Sequence, residues 1–241
     1  MAEQEIIKHA EKVIKTIRNK KFSFWHKLKD ALYEIAIIVF AVTISIWFHN
    51  WSEHRQQQSE VKEFLLELKK DINADIADVK ENTNEYKDAG KLYSYLRKSN
   101  PNKIPDNDSL KIIADKVNMN FTIDFHEIRF NGFSSAGKIT NIENRQLQFD
   151  ILNYYQNAIP QYQRSESGWN TTQYRLMLYM KDSIKNADDD KEKWQLLTSL
   201  KAKNIMISLT GWQQLYDRLD AITSDGQSII KQIDKLYPNG K

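Results

Sequence analysis

ALYEIAIIVFAVTISIWFHNW, residues 31–51, decides the fold, and SEHRQQQSEVKEFLLELKKDINADIADV, residues 52–79, follows it without a break. The first stretch holds one charge, Glu34, and none from residue 35 to residue 48. The second is charged throughout, yet Val61, Phe64, Leu65, Leu68, Ile72, Ile76 and Val79 keep mostly three–four spacing. Neither contains a helix breaker, since the first glycine is Gly90 and the first proline Pro101. The pattern predicts helix throughout, apolar on all sides at first and then apolar along one stripe.

Fourteen uncharged residues suit a membrane span, a buried helix or the core of a signal peptide. The flanks separate these readings. Tyr33 at one end and Trp47 and Trp51 at the other stand where interfacial aromatics sit. As a helix, residues 32–51 cover ~30 Å, the thickness of a hydrocarbon core. A signal peptide has a short basic leader and small residues at its cleavage site. Here the leader is long, and Trp47, Phe48, His49 and Trp51 fill the cleavage region. The mean hydropathy of −0.64 over 241 residues excludes a multi-span transporter, so the span is solitary.

Direction follows from charge. Residues 1–30 carry eight Lys and Arg against four acids, so a net +4 sits there and −1 in all the rest. From Lys12 to Lys29 there are seven basic residues and no acid. After the span, Arg55, Lys62, Lys69 and Lys70 are offset by Glu53, Glu60, Glu63 and Glu67. Basic flanks stay in the cytoplasm, so the expected topology has residues 1–22 as a cytoplasmic arm, 23–51 as anchor and 52–241 outside. The near-neutral outer part carries no basic patch, which argues against a nucleic-acid partner. In the arm, Ile6, Ile7, Ala10, Val13, Ile14 and Ile17 recur at helical spacing with lysines around the other face. That pattern fits a helix on an anionic leaflet, and equally a generic topology signal.

Glu34, Ile38, Ala41, Ser45 and His49 follow one another at helical spacing. Ala41 and Ser45 are small residues four apart, a spacing found where membrane helices touch. Glu34 could pair with a neighbouring subunit, but its place at the end of the span suits a hydrated headgroup position better.

Beyond the anchor the expectation is all-α: one transmembrane helix, then an extracytoplasmic antiparallel bundle of long helices. A stalk helix covers 52–98, with Gly90 as a weak point, and a linker at 99–107 carries Pro101 and Pro105. Short helices fill 108–137, capped by Asp108 or Ser109, with Gly137 as a helix stop. Residues 119–125 alternate like a strand, but a solitary strand has no partner, so they read as the start of a helix. A helix over 142–185 is kinked by Pro160, residues 186–191 turn, and a last helix runs 194–236. An antiparallel arrangement puts the acidic turn at Asp188–Asp190 toward the membrane and the C-terminus away from it.

Two stretches carry a resemblance. Tyr33-Glu34-Ile35 leads through the span to Asn50-Trp51-Ser52-Glu53 and Arg55, then Leu65, Leu68 and Asp71-Ile72. Phe130, Phe133, Ser135, Gly137, Ile142, Asn144, Leu147, Ile151 and Tyr154-Tyr155 form the second set. Together they resemble a family of uncharacterised bacterial single-pass membrane proteins known as a domain of unknown function. The likeness spans most of residues 30–160, although the long basic arm departs from it. It implies an inner-membrane envelope protein with a periplasmic helical domain, and supplies no activity or catalytic residue.

Chemistry-bearing motifs are sparse. There is no cysteine, which removes disulfides and thiolate sites. His9, His26, His49, His54 and His126 form no metal-ligand spacing on one helix face. Gly132, Gly137 and Lys138 match the phosphate-loop spacing, but Ile139 replaces the Ser or Thr that would hold magnesium. Ser134 and Ser135 lack the glycines of a nucleophile elbow. Asp71, Asp75 and Asp78 share a face that reads as solvated acid rather than a cation site. Aromatics crowd the C-terminal helices, mostly as core packing. Tyr155, Tyr162, Trp169, Trp212 and Tyr216 are the candidates for a ligand or partner groove. The expectation is a non-enzymatic module without cofactor, whose partners are the bilayer and itself or other envelope membrane proteins. A periplasmic ligand sensor is the alternative.

Overall fold

The absence of breakers before Gly90 is realised as one helix of 75 residues. The computed structural model describes residues 2–18, 24–117 and 120–238. The expected boundary at residues 22 and 23, the cations Lys20 and Lys21, and Met119 lie outside the described residues. The chain divides into two units, Met1–Glu60 and Val61–Lys241. Among the described residues every regular element is a helix.

The first unit holds α1 (Ala2–Arg18) and the opening part of α2 (Phe24–Lys98). Every side chain from residue 35 to residue 48 is exposed, except for a half-exposed Ile38. Its hydroxyls are satisfied within the helix: Thr43 donates to the Val39 carbonyl at 2.7 Å and Ser45 to that of Ala41 at 2.8 Å. This helix is long and apolar enough to cross a membrane, with a window of mean hydropathy 2.1 and none of it buried.

The second unit is built on the stripe of α2. Val61, Phe64, Leu65, Leu68, Ile72, Val79, Tyr86, Tyr93 and Leu96 are all buried. The helix passes through Gly90 and ends at Lys98. Then come α3 (Asn107–Val117), α4 (Ile128–Ser135), a 3₁₀ turn (Lys138–Asn141), α5 (Arg145–Asn153) and α6 (Ile159–Ser183). The last three helices are α7 (Asp190–Leu197), α8 (Leu200–Ile207) and α9 (Gln213–Leu236). Along α2, Lys69 pairs with Asp234, a Cβ on Gly226 would lie 2.9 Å from Ile72, and one on Gly90 would lie 3.7 Å from the Tyr216 hydroxyl.

Local chemistry corrects several expected boundaries. Asp106, not Asp108 or Ser109, caps α3: its carboxylate accepts from the Ser109 backbone N–H at 2.9 Å and from the Ser109 hydroxyl at 2.8 Å. Gly132 sits inside α4, so the phosphate-loop spacing marks no loop. Gly137 is left-handed, with φ 71°, and stops that helix. The kinked helix is three pieces, α5, a π turn (Tyr154–Ala158) and α6, with Pro160 as second residue of α6. Proline has no N–H and crowds the carbonyl four residues back, here Gln156, and a widened turn accommodates both. The same turn brings Tyr154 and Tyr155 into the core together.

The single last helix is also three. Ser199 interrupts it by accepting from the Ala202 N–H at 3.3 Å, and residues 208–212, with Gly211, break it again. The acidic turn does not lie where the second unit's part of α2 begins. The Trp194 ring, just after it, lies tilted 6.2 Å from Tyr95, near the far end of α2. Tyr237, near the C-terminus, lies under Lys62, and Asp234 pairs with Lys69, both where the second unit begins. The arrangement follows from residues 99–137. They run back along the unit: Phe121 meets Tyr86, His126 meets Asp75 and Phe133 meets Phe64. The helix after them therefore starts beside the beginning of the stripe.

Candidate functional site

The residues proposed as a helix-contact face occupy a bare surface. Ala41, Ser45 and His49 are exposed, and Glu34 is half-exposed with one carboxylate oxygen shielded and unpartnered. Tyr33, Trp47 and Trp51 are exposed at 74%, 59% and 47%. At the C-terminal end of this segment, Trp47 meets Phe48 edge to face at 5.1 Å, and the Arg55 guanidinium lies 5.0 Å from the centre of the Trp51 ring. An amphipathic ring carrying a cation suits the border between apolar and aqueous phases.

The five aromatics proposed as a groove are distributed differently. Tyr155 is buried and stacks on Phe130 at 4.4 Å. Tyr162 is buried and donates to Glu166 at 2.8 Å. Trp169 is buried among Tyr86, Tyr93 and Phe121. Trp212 and Tyr216 are half-buried, Trp212 covering Gly168, where a Cβ would come within 2.9 Å of its ring. These side chains fill space between helices. An open cleft of about 530 Å³ lies elsewhere, between α6 and α8, lined by Thr172, Arg175, Lys201, Asn204 and Ser208 among others.

The most organised polar chemistry is a set that the sequence reading passed over. Residues 120–126 form neither helix nor strand, and alternate Phe121 in, Thr122 out, Ile123 in, Asp124 out. The alternation belongs to an irregular segment and not to the start of a helix, which begins only at Ile128. Such a segment needs partners for its backbone, and here side chains supply them. The Ile123 N–H donates to Glu166 at 3.0 Å and the His126 N–H to Asp75 at 3.0 Å. Asn170 donates to the Phe121 carbonyl at 2.9 Å and Gln173 to that of Val117 at 2.7 Å.

Asp75, Glu166 and Gln173 are buried, and each occupies an apolar-stripe position. Asp75 falls three after Ile72 and four before Val79, while Glu166 and Gln173 continue the spacing of Tyr162, Trp169 and Leu176. Asp75 thus belongs to no solvated acidic face, and Asp71 pairs with Arg129 at 2.8 Å. A polar residue at a stripe position was the available signal, and it marks a buried partner.

Asp75 also meets the His126 ring at Nδ1, 2.7 Å away. Burial pushes the Asp75 carboxyl upward, against the pull of its two bonds to His126. The hydrogen bond that the His126 ring makes to the Asp75 carboxylate raises His126, opposed by partial burial. Burial likewise raises Glu166, although Tyr162 and the Ile123 N–H favour its charged form. The hydroxyls of Tyr154 and Tyr155 are buried without a partner, and burial drives both far above the usual phenol range.

Chemically the set is a clasp. Among the described residues no group of three or more His, Cys, Asp or Glu is arranged to hold a metal ion. Three comparisons bear on kinship: no family model matches the chain, no curated protein matches it, and no solved structure matches it.

Proposed function

We propose that this chain is a non-enzymatic, membrane-anchored envelope module that assembles with itself or with other membrane proteins. The observation that carries the reading is the uncovered apolar segment at residues 35–48, on the same helix whose later stripe is fully buried. Such a surface is stable in hydrocarbon and is an aggregation hazard in water. On this reading the chain crosses the inner membrane once, with the N-terminus in the cytoplasm and the second unit in the periplasm. Membership of the envelope family that the motifs around Trp51 and Tyr155 resemble belongs to the same proposal. So does an antiparallel bundle, supported for α2 and α9 by the pairings 69–234, 72–226 and 90–216. The exception is α6, which runs with α2: Tyr162 is near Tyr86, and Trp169 is near Tyr93.

Assembly is tested in the span. Ala41→Ile with Ser45→Ile keeps the segment apolar but fills the one place where two helices could approach closely. In detergent the oligomer should fall in size with this pair and stay unchanged with Ile37→Leu. A wild-type monomer, or a double variant that assembles normally, sinks self-association through the span. A membrane-impermeant thiol reagent should label Ser167→Cys in spheroplasts and leave Glu11→Cys unlabelled, and the reverse pattern would overturn the orientation. The ligand-sensing alternative draws on the α6–α8 cleft, where Arg175 and Lys201 stand together, rather than on the buried aromatics.

A further inference from the structure

Helix α1 is two-sided. At 100° per residue, Val13, Ala10, Ile14 and Ile7 share an arc of roughly 120°, and Lys15, Lys8 and Lys12 share roughly 60° of the remainder. Ile7 and Ile14 are exposed at 58% and 65%, so none of the described chain covers the apolar arc. A helix of 17 residues is marginal in water by itself, and its stability has to come from a surface that takes up the apolar face.

We infer that α1 lies in the plane of an anionic bilayer surface, with Ile7, Ala10, Val13 and Ile14 in the acyl boundary and the lysines among the headgroups. This rests on the anchor reading, which brings the chain to the bilayer surface a few residues after α1 ends. The tether makes docking effectively intramolecular, so a modest affinity suffices. Charge complementarity selects lipid over a protein groove. The arm, residues 1–22, carries six Lys and Arg against three acids, a net +3 matched to the anionic headgroups of a cytoplasmic leaflet. The consequence is a basic in-plane helix that makes the anchor sensitive to lipid charge.

The test uses the full chain in vesicles. The chain has no native cysteine, so Ile7→Cys takes an environment-sensitive fluorophore at one site. With iodide on both sides of the membrane, the label should be shielded and blue-shifted in vesicles containing phosphatidylglycerol, and clearly less so in pure phosphatidylcholine. A label at Lys12→Cys should stay open to iodide in both. High salt, or Lys8→Gln with Lys15→Gln, should restore quenching at position 7. Equal quenching in the two lipids would leave α1 as a topology signal only. Shielding that persists in detergent and fades on dilution would mean a second copy covers the face, which also overturns the proposal. Carbonate extraction separates the two readings. A chain that resists extraction with an unshielded position 7 keeps its anchor and loses this surface; a chain that is extracted loses both.

Discussion

Helix α2 presents two kinds of surface on one backbone. At residues 35–48 every side chain is apolar or small, and Phe40 is 67% exposed. At residues 61–96, Leu68, Ile72 and Tyr93 are 0% exposed, while polar residues such as Lys70, Asn73 and Lys80 hold exposed positions. Helix propensity does not distinguish the two stretches, since neither contains a strong breaker apart from Gly90. What differs is the angular distribution of apolar side chains. A stripe can be covered by neighbouring helices, as α4, α6 and α9 cover this one, but an all-round sleeve needs an all-round apolar solvent. The comparison also separates two uses of polar atoms. In the first stretch the hydroxyls of Thr43 and Ser45 fold back onto their own helix. In the second, Asp75 reaches across to another segment's backbone.

The largest expected effect breaks the symmetry between the two stretches. Leu68→Ala leaves a hole in a fully buried site and should lower the stability of the second unit by about 2–5 kcal/mol. Ile37→Ala removes a side chain that touches no core, and should leave that unit's denaturation midpoint unchanged. Equal losses would mean that residues 35–48 are covered after all. The measurement is chemical denaturation of the detergent-solubilised chain, followed by tryptophan fluorescence.

A middle-sized effect is expected at Gly226 on α9. An alanine Cβ there would lie 2.9 Å from Ile72 Cγ2 and 3.0 Å from Ile76 Cδ1. Removing a helical glycine gains up to ~1 kcal/mol, whereas overpacking a core costs ~1–3 kcal/mol. The branch methyl of Ile72 has no free rotation to yield, so crowding should win. Gly226→Ala should destabilise by about 1 kcal/mol, and Gly226→Ala with Ile76→Val, which deletes the crowded Cδ1, should recover part of it. A stabilised single variant would show that α9 has room to move away from the stripe.

The smallest effect is a pH dependence at the clasp. His126 is raised above its ordinary value, so its stabilisation is complete below about pH 6.5 and is lost as pH rises through its elevated folded value. Asp75 is raised too, and a raised acid also favours the folded state more at lower pH. Both act in the same direction. The depressed carboxylates of Glu67, Asp88 and Asp106 act only in acid, where falling pH removes their contribution. The thermal midpoint should therefore drop by a degree or two, order of magnitude, between pH 6 and pH 8.5, because a half-exposed histidine is screened by water. His126→Gln should flatten that slope, and an unchanged slope would assign it to other groups.

Much of α2 was legible because a helical stripe is a local pattern, set by side chains three and four apart. Gly137 was legible for a similar reason, since a left-handed stop favours a residue without Cβ. Asp75, Glu166 and Gln173 were visible only as exceptions to a stripe, and an exception does not name its partner. Their partners lie 51, 43 and 56 residues away in sequence.

By itself the sequence determined that the chain is helical, that residues 35–48 form an apolar sleeve and that residues 61–96 carry one buried stripe. These follow from propensity and periodicity, which act within a few residues. Tertiary structure alone decided that residues 120–126 run back along the unit as neither helix nor strand, that positions 155, 162 and 169 fill the core instead of lining a groove, and that the acidic turn sits near the far end of α2. Each of those depends on where a buried backbone N–H or carbonyl finds a hydrogen bond, and that choice is made between segments distant in the chain.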